Sequence, residues 1–188
     1  MTETENNVKP KFNLKRSLLD YLYLFLISGG IVALDQWTKA LVRENIPLGG
    51  DWLPDWLTWL MPYARIRHWH NSGAAFGLFQ DGNLIFTILA ILVSLAIIYY
   101  FPRAERHHWW LRLALAMQLA GALGNLIDRL RFRQVTDFIS VGNFAVFNVA
   151  DASISVGVAI LVIGSLWTER QMKKKQQSGQ EQAEQESE

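Results

Sequence analysis

The chain has 188 residues, about half of them hydrophobic, and 18 Lys and Arg against 17 Asp and Glu give a formal charge of +1. That length allows one domain and little more, the net charge decides nothing by itself, and the basic tails read as topology determinants, not as a nucleic-acid surface. With no cysteine, disulfides, a thiol nucleophile and a zinc–cysteine centre are all excluded.

Residues 1–16 form a polar tail with Lys9, Lys11, Lys15 and Arg16. Four apolar blocks follow: Leu18–Leu34, Leu84–Phe101, Trp109–Leu126 and a stretch from about Phe147 to Trp167. Each approaches the ~20 apolar residues that a bilayer-crossing helix needs. The first block follows basic residues as a secretory signal would, but no small-x-small cleavage site comes after it. The chain runs on into LDQWTKALVREN, so the block is read as a true span.

The loop over about 40–82 is rich in Trp. Trp52, Trp56 and Trp59 are spaced to share one helical face, although Pro54 opposes a long helix. Two readings stand: an element lying at the membrane–water boundary, or a loop that packs its aromatics over the spans. ARIRHWH alternates like a strand, with Arg65 and Arg67 on one face, and NSGAAFG then supplies small residues that let backbone come close to a neighbour. In 121-GALGNLIDRLRFR-133, Gly121 and Gly124 permit close helix packing before Asn125, Asp128 and Arg129 end the span. After the fourth block, residues 169–188 are Gln- and Glu-rich and too polar to bury a core, so disorder is expected there.

The fold class expected is an all-α polytopic membrane protein: four transmembrane helices with a small extracytoplasmic β-containing subdomain, built mainly from the first outer loop. Residues 17–168 form its single domain. Four spans put both tails and the second connection on one side. That side holds the four basic residues before span one, Arg103, Arg106, Arg112, Arg170 and Lys173–Lys175, and the other side holds Lys39, Arg43, Arg65, Arg67, Arg129, Arg131 and Arg133. The bias places both termini in the cytoplasm.

The outer ends of the spans gather Asp35, Asn71, Asn125, Asp128, Arg129, Asp137, Asn148 and Asp151. An ionised Asp at mid-membrane costs roughly 2.5–3.5 kcal/mol on insertion scales, less near the interface. Asp35 has Lys39 one helical turn on, a structural pairing. Asp128 and Arg129 read as an ion pair or as bonds to a frayed helix end, while a buried Arg129 guanidinium can also grip a carbonyl or a head-group. Asn148 followed by Asp151 resembles a capping box. Capping does not account for Asp137 in VTDF. Two carboxylates within hydrogen-bonding reach cannot both ionise easily, and such a pair can activate a water. Spacing alone leaves capping and catalysis both open.

Other constellations are weaker. His68 and His70 lack a third metal ligand, and a serine-protease pairing of Ser72 with His70 is discounted. A small proton-coupled transporter subunit, with the acids as a relay, is the alternative from another class.

The segments LDQWTKALV, NSGAAFGLF, GALGNLIDR, VTDFI and FNVADASI, in this order between four spans, closely resemble the bacterial lipoprotein signal peptidases (signal peptidase II), an intramembrane aspartic protease family. The resemblance runs from about Leu34 to Ile154. It implies a catalytic dyad at Asp137 and Asp151, with Asn71, Asn125, Arg129 and Asn148 lining the site and Asp35 and Asp128 in support. It further implies no cofactor or metal, diacylglyceryl-modified prolipoprotein substrates cut before the lipidated Cys, contact with membrane lipids, and no nucleic acid. A monomer in the bacterial cytoplasmic (inner) membrane, with its active site near the outer face, completes the expectation.

Overall fold

The computed structural model describes residues 14–71 and 82–185. The small-residue segment that follows Asn71, with Ser72 in it, lies outside the described residues, as does most of the N-terminal tail. The elements run in chain order as α1 (Leu14–Asn45), β1 (Asp51–Trp52), a 3-10 turn (Asp55–Leu60), β2 (Ala64–Asn71), α2 (Asn83–Tyr100), a second 3-10 turn (Phe101–Arg103), α3 (Trp109–Phe132), β3 (Val135–Val141) and α4 (Val149–Gln185). All four α-helices are long and apolar enough to cross a membrane. The 18 residues of α2 rise about 27 Å, close to the ~30 Å of a hydrocarbon core. Leu84, Ile85, Ile88, Leu92 and Leu95 stand exposed along it, as suits a helix solvated by lipid.

α3 is the central helix and packs against α1, α2 and α4. The sequence allows this because its inward face is made of small residues: Ala114, Ala116, Ala120, Gly121, Ala122 and Gly124 are all buried. Without a hydrophobic effect between helices in lipid, close van der Waals approach has to hold them. A Cβ built on Gly121 would lie 2.5 Å from the Ala150 carbonyl oxygen and against the Ile154 side chain, both on α4.

Two apolar clusters mark the ends of the bundle. At one end Leu24, Ile97, Phe101, Ala116 and Leu119 meet, and at the other Val42, Ile46 and Phe138 pack with Ile66, Ile139 and Val149. The second cluster joins α1 to a three-stranded antiparallel sheet of order β1-β2-β3. β2 is the strand that the alternation in ARIRHWH predicts. Arg67 makes two bonds to Asp51 across the β1–β2 pair, at 2.6 and 3.0 Å, and Arg65 reaches the same carboxylate at 3.2 Å. Two of the three strands and the first 3-10 turn come from the connection between α1 and α2, and the third strand comes from the connection between α3 and α4.

Three boundaries differ from the sequence reading. α1 runs on to Asn45, well past Leu34, because Asp35 and Lys39 neutralise each other inside the protein. The three Trp residues do not share one helix. Pro54, with ψ 146°, separates Trp52 in β1 from the 3-10 turn, where Trp56 and Trp59 stand 75% and 68% exposed instead of covering the spans. α4 continues through Gln185, beyond the boundary at 168 and into the tail expected to be disordered. Its Lys, Gln, Glu and Ala residues are good helix formers, and extending a helix already nucleated costs little.

Between the apolar clusters lies a polar core around Lys39, which is wholly buried. Its ammonium lies 2.8 Å from Asp35, 3.3 Å from Asp128 and 3.0 Å from the Asn125 side-chain Oδ1. Gln36 donates to Asp35, to Asp128 and to the Gly124 carbonyl, at 3.0–3.1 Å each. Gly124 is needed for this, since a Cβ there would fall 2.7 Å from the Asp35 carboxylate.

Removing the cation should therefore be costly. Lys39→Met leaves two buried carboxylates with one neutralising group fewer, and a loss of about 3–5 kcal/mol is expected, read as a lowered midpoint of thermal unfolding in detergent. Gly121→Ala should cost roughly 1–3 kcal/mol by forcing α3 and α4 apart. In the same assay Gly29→Ala, where an added Cβ meets nothing within 4 Å, should be neutral or stabilising by up to about 1 kcal/mol.

Candidate active site

Asp137 and Asp151 come from different elements and meet because of how the chain turns between them. β3 ends in a turn where Gly142 holds φ 51°, a left-handed conformation that glycine adopts without a Cβ clash. Phe147 then folds back onto β3. Its N–H bonds the Ile139 carbonyl at 3.1 Å, and its own carbonyl accepts from Phe138 and Ile139 at 3.0 and 2.8 Å. This return sets Asn148 beside Asp137 and starts α4 at Val149.

Asn148 is the N-cap that the sequence suggests. Its Oδ1 accepts the Asp151 N–H at 2.9 Å, and its own N–H donates to the Asp151 carboxylate at 3.2 Å, a reciprocal capping box. The amide nitrogen of the same side chain faces the other way and donates to Asp137 Oδ1 at 2.6 Å and to Asn125 Oδ1 at 3.1 Å. Asn125 in turn donates to Asp151 Oδ1 at 2.8 Å. A closed polar ring thus links Asn148, Asn125 and Asp151, and Asp137 is tied to it through Asn148.

Asn71 approaches Asp137 from β2. In the β2–β3 register Trp69 faces Asp137 and Asn71 faces Val135, which makes Asn71 the diagonal neighbour. Its amide donates to Asp137 Oδ2 at 3.0 Å. Asp137 is 1% exposed. Burial and the nearby Asp151 carboxylate push its pKa up to about 7, against the opposing effects of the Asn71 and Asn148 donors and of Lys39.

A cavity of about 580 Å³ opens beside this ring, lined by Asn71, Asn125, Arg129, Asp151 and the apolar side chains of Phe86, Phe144 and Phe147. A second hollow of about 360 Å³ shares Asn125, Arg129 and Asp151 and continues between α2, α3 and α4 past Leu89, Val93 and Val158. Asp151 faces the cavity directly, and Asp137 sits behind Asn71.

All eight sequence-predicted residues therefore converge on one end of the bundle, although not all in the pairings expected. Asp128 does not pair with Arg129. It is wholly buried and holds Lys39, with Arg43 at 3.7 Å, and its Oδ2 accepts the Thr136 N–H at 2.9 Å. Residue 128 faces α1 and β3, whereas residue 129, one helical step of about 100° further on, faces the cavity. Arg129 lies over the Phe86 ring at 5.4 Å and makes no ion pair among the described residues. Asp35 does pair with Lys39, and its other oxygen accepts the Ala150 N–H at 2.9 Å in the first turn of α4.

Sequence reasoning missed Gln36, Thr136 and Arg43, which bonds the Thr136 hydroxyl at 3.0 Å. It also saw Lys39 only as a partner of Asp35. The available signal was Asp35, Lys39 and Arg43 recurring every four residues on one helical face.

The family model for signal peptidase (SPase) II matches residues 27–167. The chain is similar to the lipoprotein signal peptidase of Enterococcus faecalis, with 37% identity over 153 residues that cover 79% of this chain and 91% of that one. It is likewise similar to that of Streptococcus pneumoniae, with 35% identity over 154 residues covering 81% and 94%. A solved bacterial membrane enzyme superposes with a TM-score of 0.68 at 28% identity, over 82% of this chain and 90% of that one. The sequence matches and the shared fold agree over most of the chain, and the chain belongs to the signal peptidase II family.

Proposed function

We propose that the chain is an aspartic endopeptidase that removes signal peptides from diacylglyceryl-modified prolipoproteins, cutting on the N-terminal side of the lipidated Cys. Asp137 and Asp151 are its catalytic pair. The observation that carries this reading is the ring through Asn148 and Asn125, which fixes two carboxylates from separate elements beside one cavity. The names of the similar proteins support the substrate class.

In this mechanism the pair shares one proton. Burial and the neighbouring Asp151 carboxylate favour that proton on Asp137. The ionised carboxylate takes a proton from a water whose oxygen attacks the scissile carbonyl carbon. The protonated partner gives its proton to the carbonyl oxygen, and a neutral gem-diol forms. The proton taken from water then passes to the amide nitrogen and the C–N bond breaks, freeing the Cys amine. As the new carboxyl group forms, one gem-diol hydroxyl returns its proton to the pair, which ends as it began. Arg129 donates to the peptide carbonyls in the cavity, and the apolar hollow between α2, α3 and α4 takes hydrophobic parts of the substrate. The protein acts as a monomer, with both termini cytoplasmic and the site at the outer face.

Asp137→Asn and Asp151→Asn should each lower cleavage of a lipidated prolipoprotein by at least about 100-fold, followed by the mobility shift of the product. Near-normal cleavage by either variant, folded to wild-type levels, would end the assignment. The pH profile gives an independent check. The reactive form needs the shared proton, so kcat/KM should fall as pH rises through about 7, with an apparent value belonging to the pair. Asn71→Ala removes a donor that favours the ionised form of Asp137, so its alkaline limb should move to higher pH as well as lose height. A limb that stays in place would detach Asp137 from the profile.

A further inference from the structure

At the opposite end of the bundle a second polar cluster lies outside everything the proposed reaction uses. Asp20, near the start of α1, is buried and takes the Arg106 Nε at 2.9 Å and an Arg112 terminal nitrogen at 2.8 Å on the same oxygen. Arg112 is only 6% exposed. It also donates to the Ala104 carbonyl at 3.2 Å, and its guanidinium lies over the Phe101 ring at 4.5 Å and the Tyr23 ring at 5.3 Å. These contacts fix its planar fork in place. A cavity of about 310 Å³ opens here, lined by Leu19, Asp20, Tyr23, Arg106, Trp109 and Arg112.

We propose that this cavity binds the phosphodiester head-group of an anionic phospholipid from the adjacent leaflet. Two guanidiniums and one carboxylate leave a surplus of one positive charge among the lining groups, which matches a single phosphodiester. Arginine forks suit phosphate oxygens, and basic pockets between membrane helices are known lipid head-group sites. The apolar wall argues for a lipid over a free oxyanion. Leu19 and Trp109 are largely exposed beside the two arginines, and Trp is enriched at the membrane–water boundary. Such a wall can cover a glycerol and the first acyl carbons, which a small soluble ion would leave empty. A second cationic head-group, as in phosphatidylcholine, would meet the surplus positive charge.

The test uses the full chain in neutral detergent, with each variant's thermal midpoint read relative to its own lipid-free value. Phosphatidylglycerol should raise the midpoint saturably, whereas phosphatidylcholine at the same mole fraction and inorganic phosphate should not. Arg106→Ala should weaken the apparent affinity for phosphatidylglycerol at least tenfold. Arg106→Lys, which keeps the charge without the fork, should fall between that variant and the wild type, and it serves if the alanine variant does not fold. Arg129→Ala, at the other end, should respond as the wild type does. An unchanged response in both Arg106 variants, or a response lost in Arg129→Ala alone, would overturn the site. An equal effect of inorganic phosphate or of phosphatidylcholine would overturn the anionic-lipid assignment.

Discussion

A buried lysine holds this fold together. Lys39 sits between Asp35 and Asp128 with no exposure to solvent, so none of the three charges can be hydrated and each depends on the others. The two counter-ions also reach further. Asp35 accepts the Ala150 N–H in the first turn of α4, and Asp128 accepts the Thr136 N–H at the start of β3. Those are the two elements that carry Asp151 and Asp137. One cation, through two carboxylates, thereby positions the backbone on both sides of the proposed catalytic pair.

In the segment FNVAD one side chain both caps the helix and reaches the second acid. The oxygen of Asn148 caps α4 while its nitrogen holds Asp137, so the helix start and the alignment of the acids are a single arrangement. Replacing Asn148 with Asp would keep a capping acceptor and set a third carboxylate against Asp137. Replacing it with Ser would cap the helix but fall short of the acid. The residue type is constrained twice, by an acceptor on one side and a donor on the other.

The four spans, the strand at ARIRHWH and the end of the bundle where the acids gather are all legible because they depend on local period and composition. So is the Asp35–Lys39 pair, four residues apart on one helix. Asp128 is different: its partner Lys39 lies 89 positions earlier, and no local pattern distinguishes it from the adjacent Arg129. β3 is hidden for a related reason. Its first four residues, Val135–Phe138, are all buried and show no alternation, and only the pairing with β2 identifies the strand. The helical continuation of α4 past 168 is the reverse case, where a polar composition that cannot bury a core is still made of good helix formers.

α1 carries charge triads of opposite sign near its two ends. Asp20 lies between Arg106 and Arg112, and Lys39 lies between Asp35 and Asp128. The nineteen residues between their centres rise about 28 Å, close to the thickness of a hydrocarbon core. The signs have consequences. The first triad is one positive charge in surplus, which suits an anionic head-group. Around the second, Asp35, Asp128, Asp137 and Asp151 face Lys39, Arg43 and Arg129, four carboxylates against three cations within electrostatic reach. A largely dehydrated site tolerates an unbalanced charge poorly, and one proton restores the balance. Asp137 can keep it, since burial beside the Asp151 carboxylate raises its pKa. On this reading the single proton that the proposed hydrolysis requires is the one that electroneutrality of the site already demands.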